Sequence, residues 1–366
     1  MLETLELQNL KSCKQLRVRL APLVVLSGLN SSGKSSVLQS IALIRQSYSR
    51  PPGSGGLTLN GEWTSLGAGK DVLSENADSE EVGISFVEDG KPYQWQCKCS
   101  PDVNVLPFSR EPRVLPLFLQ HPFQYLRADR ITPATMYPSA PQHIRDAGEL
   151  GVGGEYTVDF LARNRALEVP VARRVKQNIS AIRTTTLFDQ AAAWLQHLSP
   201  GVLFGVEQLG GTDVVRLSFR YSGKRRDVTS TEYRPTNVGF GLTYSLPILV
   251  ACLSTKPGGV LLLENPEAHL HPRGQSAMGT LLAQCSSDNV QIIVETHSDH
   301  LLNGVRLAVK HGIVKPDAVV LHYFSRQLDT GDATVQSPTI QSNGRLSFWP
   351  EGFFDQWEKT LDELLD

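Results

Sequence analysis

The sequence predicts an α/β fold, and three observations carry that prediction. A glycine-rich loop, Gly28 to Ser36 ("GLNSSGKSS"), stands between a short apolar strand and a run of apolar residues at helical spacing. From residue 236 onward, apolar strands and helices alternate, as they do where helices cover a parallel sheet. Between these regions, "GISFVEDGKPYQWQCKC" and "DVVRLSFRYSGKRRDVTSTEYR" read as β-hairpins.

Each element has its own signal. Leu5 and Leu7 alternate with Glu6 and Gln8, a half-buried strand, and Leu16, Val18 and Leu20 repeat the pattern. "LVVLSG" is continuously apolar and stops at glycine, as a buried parallel strand does. Val37, Leu38, Ile41 and Ile44 then mark a helix, and "RPPGSGGLT" a loop. The first hairpin turns at Asp89-Gly90 and the second at Ser222-Gly223. Residues 100–150 are proline-rich and show no clear period. "EYTVDFLARN", "PVARRVKQNISAIR" and "LFDQAAAWLQHL" read as helices. There follow a glycine loop, a helix, strand 259–263, helix 272–285, strand 290–295 and helix 299–311. Phe353, Phe354, Trp357, Leu361 and Leu364 recur at helical spacing among Glu351, Asp355, Glu358, Asp362, Glu363 and Asp366, an acidic amphipathic tail. It docks on its own core or binds a partner. The expected division is 1–115, a first lobe with the glycine loop and a β lobe; 116–235, a partly basic insertion; 236–325, a second α/β lobe; and 326–366, a tail domain.

Composition narrows the classes. The chain has 366 residues, 40% of them hydrophobic, enough to bury a full core. The formal net charge of −2 gives no global field toward nucleic acid or membrane, so any such contact needs a local patch. No apolar run approaches the roughly 20 residues that span a bilayer. "MLETLELQNLKSCK" lacks the plan of a signal peptide. Five cysteines make no disulfide framework, and Cys97 and Cys99 have no second ligand pair nearby to hold zinc. The expectation is a cytoplasmic protein without membrane contact.

The glycine loop fits G-x-x-x-x-G-K-[ST] in the strand-to-helix setting the motif requires. Gly28 and Gly33 let the backbone of Asn30, Ser31, Ser32 and Ser36 curl so that N–H groups face phosphates. The helix N-terminus adds partial positive charge. Lys34 has the reach for β- and γ-phosphates, and the Ser35 hydroxyl suits a magnesium position. Such a loop needs a distant acid at a strand end, and Glu264 after "GVLLL" supplies it. Asn265 then stands where a second acid would activate water, and the next acid is Glu267. An amide is no general base. Three readings stay open: Glu267 takes the base role, Glu264 itself polarises water, or turnover is very slow and the protein holds ATP as a switch. Glu267 could also be a first-turn helix acid. His297, after the next apolar strand, either serves the γ-phosphate and water or is a structural histidine. Asn237, Gly239 and Gly241, ahead of an apolar helix, either make an ordinary turn or present free amides to a phosphate.

These segments together resemble the ABC-like P-loop ATPases of the SMC, RecF and OLD type. The opening "LETLELQNLKS" with "LVVLSGLNSSGKSS" is similar to their N-terminal signature, "LLLENPEAHLHP" to their Walker B segment and "IIVETHSDHLL" to their switch-histidine segment. "YLRADRITP", "GVGGEYTVDFL", "NVGFGLTYSLP" and "FWPEGFFDQ" resemble the stand-alone OLD-like AAA ATPases that carry a short C-terminal domain of unknown function. The resemblance implies an ABC-like fold with a mixed sheet, a β-hairpin lobe and a helical insertion. It implies ATP and Mg2+ as ligands and a head-to-tail homodimer, in which the Asn237–Ser245 segment reaches the nucleotide of the other copy. It further implies a role in DNA repair or phage defence. No acidic cluster after residue 300 makes a Toprim nuclease, so a nuclease or other effector is expected as a separate protein. Against an energising transporter subunit stand the missing LSGGQ signature and the long stretch between Lys34 and Glu264. A small-molecule kinase would need an acceptor site that no motif supplies.

Two clusters have double readings. Arg163, Arg165, Arg173, Arg174, Lys176 and Arg183, with Lys224, Arg225 and Arg226, are either solvated faces or a non-specific DNA contact. His269 and His271 in "AHLHP" pack an interface or a loop, or form two ligands of a zinc site with no third nearby. Arg127 and Arg130 are either structural or near the nucleotide.

Overall fold

The computed structural model describes residues 1–49, 55–175, 184–222, 230–327, 329–353, 360 and 363–364. It forms two compact units, residues 1–121 with 315–366, and residues 122–314.

The first unit opens with β1 (Leu2–Leu10), β2 (Cys13–Arg19), β3 (Leu23–Gly28), α1 (Lys34–Tyr48), β4 (Gly56–Thr58), α2 (Gly69–Val72), β5 (Glu81–Glu88), β6 (Lys91–Lys98) and β7 (Val105–Arg110). The order β2-β1-β5-β6-β7-β4 makes an antiparallel sheet. The alternation in β1 buries Leu5 and Leu7 and exposes Glu6 and Gln8, as a sheet with one packed face requires. The β5–β6 hairpin turns where the sequence predicts, with Asp89 and Gly90 both at positive φ (49° and 73°), the backbone twist that matches two-residue hairpins.

The second unit holds β8 (Phe123–Leu126), β9 (Met136–Pro138), α3 (Gln142–Ala147), α4 (Thr157–Arg163), α5 (Leu187–Leu198), β10 (Val202–Gln208), β11 (Val214–Tyr221), α6 (Phe240–Ser254), β12 (Val260–Glu264), α7 (Pro272–Ser286), β13 (Gln291–Glu295) and α8 (Asp299–Lys310). β12 runs parallel to β13 on one side and β8 on the other. All three are short and almost wholly buried, and β12 and β13 carry the unbroken apolar runs of strands covered on both faces. α6 is apolar nearly all round and is buried from Gly241 to Leu253. The chain then returns to the first unit as β14 (Val319–Arg326), parallel to β3, and β15 (Ala333–Gln336), antiparallel to β14.

Three expectations change. The main partner of β11 is β10, reached through residues 209–213, and β9 pairs with the start of its other edge. Of the predicted turn at Ser222-Gly223, residues 223–229 lie outside the described ones; among the described residues the return meets β11 through an isolated bridge, Phe219 to Tyr233, and the Ser230 N–H donates to the Tyr221 carbonyl at 2.9 Å. In "PVARRVKQNISAIR", residues Val171–Arg173 make a single 3-10 turn, and 176–183 lie outside the described residues. The basic run is also largely absorbed internally. Arg173 is fully buried, donates to the carbonyls of Cys252 (3.1 Å) and Thr255, and sets Nη2 2.7 Å from Asp288 Oδ2, an ion contact without hydrogen-bond geometry. Arg174 pairs with Glu168 at 2.9 Å, Arg163 pairs with the buried Asp159, and Arg165 lies 3.9 Å over the Phe188 ring. Lys176, Arg183, Lys224, Arg225 and Arg226, and most of the acidic tail helix, lie outside the described residues.

Candidate nucleotide site

In the first unit, β3 leads directly into the phosphate loop. Gly28 has φ +134°, and a Cβ there would stand 2.0 Å from the Phe324 carbonyl oxygen on β14. Only glycine permits that approach. Gly33, at φ +102°, caps α1, and a Cβ on it would press on Ala333, Cys13 and Ser12 at 3.1–3.2 Å. Leu29, Asn30 and Ser31 are exposed, while Ser32 is buried and donates its hydroxyl to the Leu29 carbonyl at 2.7 Å. Lys34 is 3% exposed. Its ammonium folds into the loop and donates to the carbonyls of Gly28 (3.1 Å) and Leu29 (2.6 Å). Phosphate oxygens, stronger acceptors than carbonyls, can compete for those bonds. Ser35 and Ser36 follow in the first turn of α1.

In the second unit, the acids stand where β12 and β13 end side by side, Glu264 opposite Glu295. Glu264 Oε1 accepts from the Tyr125 hydroxyl, and Oε2 accepts from the Ala128 N–H at 2.9 Å. Burial and the Glu264 charge push the Tyr125 hydroxyl well above its ordinary 10.0. Arg130, 4% exposed, donates to the carbonyls of Arg127 (2.8 Å), Glu264 and Asn265 (2.7 Å) and lies 4.2 Å over the Tyr244 ring. Burial brings it down to about 10. Arg130 is thus a structural pin for the turn, while Arg127 is half exposed and paired with Asp129 at 3.0 Å.

Asn265 has φ +42°, and its N–H donates to the Glu295 carbonyl at 2.9 Å. Among side chains larger than glycine, asparagine is one of the few that tolerate this left-handed backbone. The local fold therefore accounts for the amide at the position where a second acid was expected. Glu267 lies in the turn that follows, since α7 begins only at Pro272. The helix-acid reading of Glu267 is overturned. Its Oε1 accepts from the His297 N–H at 2.8 Å, and its Oε2 is buried with no hydrogen-bond partner among the described residues. Burial raises its pKa above the ordinary 4.5, against the pull of the His297 amide, the Thr296 hydroxyl and the Arg130 charge. The His297 side chain is exposed.

Ahead of α6, Asn237 ends a 3-10 turn and Gly239 is the N-cap; both are exposed. Gly241 is buried instead. A Cβ on it would stand 2.3 Å from the His269 carbonyl oxygen, so this glycine serves close packing. His269 stacks on Phe240 and Tyr244 with centroids at 4.7 and 5.1 Å, and His271 accepts from the Arg273 N–H at 3.5 Å to cap α7. Both histidines thus follow the packing reading.

Among the described residues no three His, Cys, Asp or Glu gather around a metal position. Mg2+ carried by a nucleotide asks for less, one or two carboxylates with phosphate oxygens and waters. Glu264 suits that need: a carboxylate has about four lone-pair sites, and Tyr125 and Ala128 occupy two of them.

The fold defines the class. The chain has the mixed α/β architecture of the SMC head, an ABC-like P-loop ATPase fold. It is similar to the SmcHead bound to the C-winged helix domain of ScpA, at 15% identity and TM-score 0.56 over 93% of this chain and 98% of that one. It is also similar to the Smc head domain with an extended coiled coil bound to the C-terminal domain of ScpA, from Pyrococcus furiosus, at 13% identity and TM-score 0.50 over 100% and 99%. Residues 159–303 match the family model described as "AAA domain, putative AbiEii toxin, Type IV TA system". Residues 314–364 match "Protein of unknown function (DUF3696)". The chain therefore carries an AAA-type ATPase domain, and such a domain binds nucleotide, ordinarily with Mg2+. No curated protein matches it. Among the described residues no helix is long and apolar enough to cross a membrane.

Proposed function

We propose that this chain is an OLD-like ATPase that hydrolyses ATP with Glu267 as general base. The observation that carries the reading is the Glu267 carboxylate. It is buried, raised in pKa, held by the His297 amide, and has one oxygen without a partner among the described residues. Those are the properties of a base awaiting a water. Lys34 and the loop amides bind the phosphates, and the exposed His297 ring serves the γ-phosphate or the attacking water. Mg2+, with the Ser35 hydroxyl and the Glu264 carboxylate as the groups proposed to hold it, would offset the negative charge that develops on the phosphates.

The same reading takes the protein to be a cytoplasmic, ATP-dependent homodimer, with Asn237 and Gly239 presented to the nucleotide of a second copy. Their exposure at the head of α6 supports this. The dimer would govern a separate effector, such as a nuclease, in phage defence or DNA repair. The toxin–antitoxin description of the matched AAA domain, and the ScpA domains held by the similar Smc heads, support a defence setting and a partner protein. Direct DNA binding has less support, because Arg173 is buried and Arg163 and Arg174 are paired. A slow, ATP-holding switch is the second reading, favoured by the Asn265 amide locked into its turn.

Steady-state Mg2+–ATP hydrolysis tests the proposal. The parent should turn over, and Glu267→Gln should lower kcat by about 10²–10⁴. Lys34→Ala should lose ATP binding. A Glu267→Gln protein as fast as the parent removes the base assignment, and a parent that binds ATP but hardly hydrolyses it favours the switch.

A further inference from the structure

Tyr125 is a buried tyrosine on a four-residue strand, in register with Leu262 of β12. Every residue of β8 is buried, and both polar ones have specific work. The Gln124 side chain donates to the Gly148 carbonyl at 2.8 Å and accepts from the Leu150 N–H at 3.1 Å. The Tyr125 hydroxyl goes to Glu264 Oε1. Phenylalanine would fill this space without a hydroxyl to satisfy, and burying a hydroxyl is costly unless it is bonded. The bond it makes is charge-assisted, the stronger kind. Ala128 N–H holds the other oxygen of the same carboxylate. The acid is therefore gripped at both oxygens by two groups of the β8 segment, and its orientation is set before any ligand arrives.

We infer that Tyr125 is a positioning residue for Glu264, orienting this carboxylate toward nucleotide-borne Mg2+. The inference rests on the ATPase reading above. Groups that orient a metal-binding side chain typically govern about 10–100-fold of metal affinity or activity. Tyr125→Phe should leave Mg2+-free ATP binding unchanged, because that binding belongs to the phosphate loop. It should raise the Mg2+ concentration that half-saturates ATP binding by about 10-fold or more and lower kcat to match.

The experiment is a Mg2+ titration of fluorescent-ATP binding, with parent, Tyr125→Phe, Glu264→Gln and the double variant, each checked for its thermal midpoint. In the Glu264→Gln background the tyrosine substitution should add no further shift, since the group it orients is gone. A tyrosine with only a packing role would lower the midpoint and leave the Mg2+ dependence alone. Equal Mg2+ titrations for parent and Tyr125→Phe overturn the inference, and so do additive shifts in the double variant. A parent with no Mg2+-dependent ATP binding overturns the ATPase reading and this inference together.

Discussion

Glu267 shows how burial sets chemistry at a single residue. Its pKa lies above 4.5 because the folded chain withdraws water from the carboxyl. A carboxyl raised in this way favours the folded state while protonated. Its contribution is complete below the unfolded value and is lost as pH rises through the folded one. Two results follow at this site. The acid limb of the kcat profile should fall at a pH above 4.5, where the base takes up its proton, and Glu267→Gln should flatten that limb. The same variant should be more stable than the parent at pH 8, since it buries no charge, and thermal unfolding across pH checks this. The acids themselves were legible in the sequence as acids after an apolar run. What sequence could not show was that Asn265 needs a left-handed backbone, or that the grip on Glu264 comes from Tyr125. The first depends on a turn whose geometry is set by a bond to Glu295, the second on a parallel neighbour far away in the chain.

At the level of elements, periodicity served well where strands and helices alternate. β12, α7, β13 and α8 lie within a residue or so of the ranges their apolar patterns predict. It served poorly for β8, four residues inside a proline-rich stretch, and for β11, whose pairing with β10 across 209–213 it did not reveal. Arginine spacing misled as well. Arg173 looks like part of a solvated basic face, yet it satisfies the carbonyls of Cys252 and Thr255 at the end of α6 and faces Asp288. Helix ends need such partners for their last carbonyls. Arg173→Ala should therefore cost about 3–5 kcal/mol of stability, the usual penalty for breaking a buried ion pair. Urea denaturation would measure it. Any loss of DNA binding on reversing this charge would report unfolding rather than a lost phosphate contact.

For the whole molecule, Gly239 offers a clean separation of folding from assembly. A Cβ there meets nothing within 4 Å, so Gly239→Asp should fold as the parent does. In the proposed dimer the same position faces the nucleotide of a second copy, where a carboxylate opposes phosphate. Sedimentation with ATP should show Glu267→Gln at twice the monomer mass and the Glu267→Gln, Gly239→Asp double variant as a monomer. If both remain monomeric with ATP bound, the dimer proposal fails. The pairing of β3 with β14 also bears on how the molecule is made. Gly28 takes its shape against Phe324, and Gly33 against Ala333, so the walls of the phosphate loop come from segments made long after the loop itself. On the ribosome, the loop emerges before those walls exist and waits for β14 and β15 to follow. A nascent chain should therefore acquire its grip on phosphate only once β14 and β15 have been made, which keeps copies that lack them from engaging ATP.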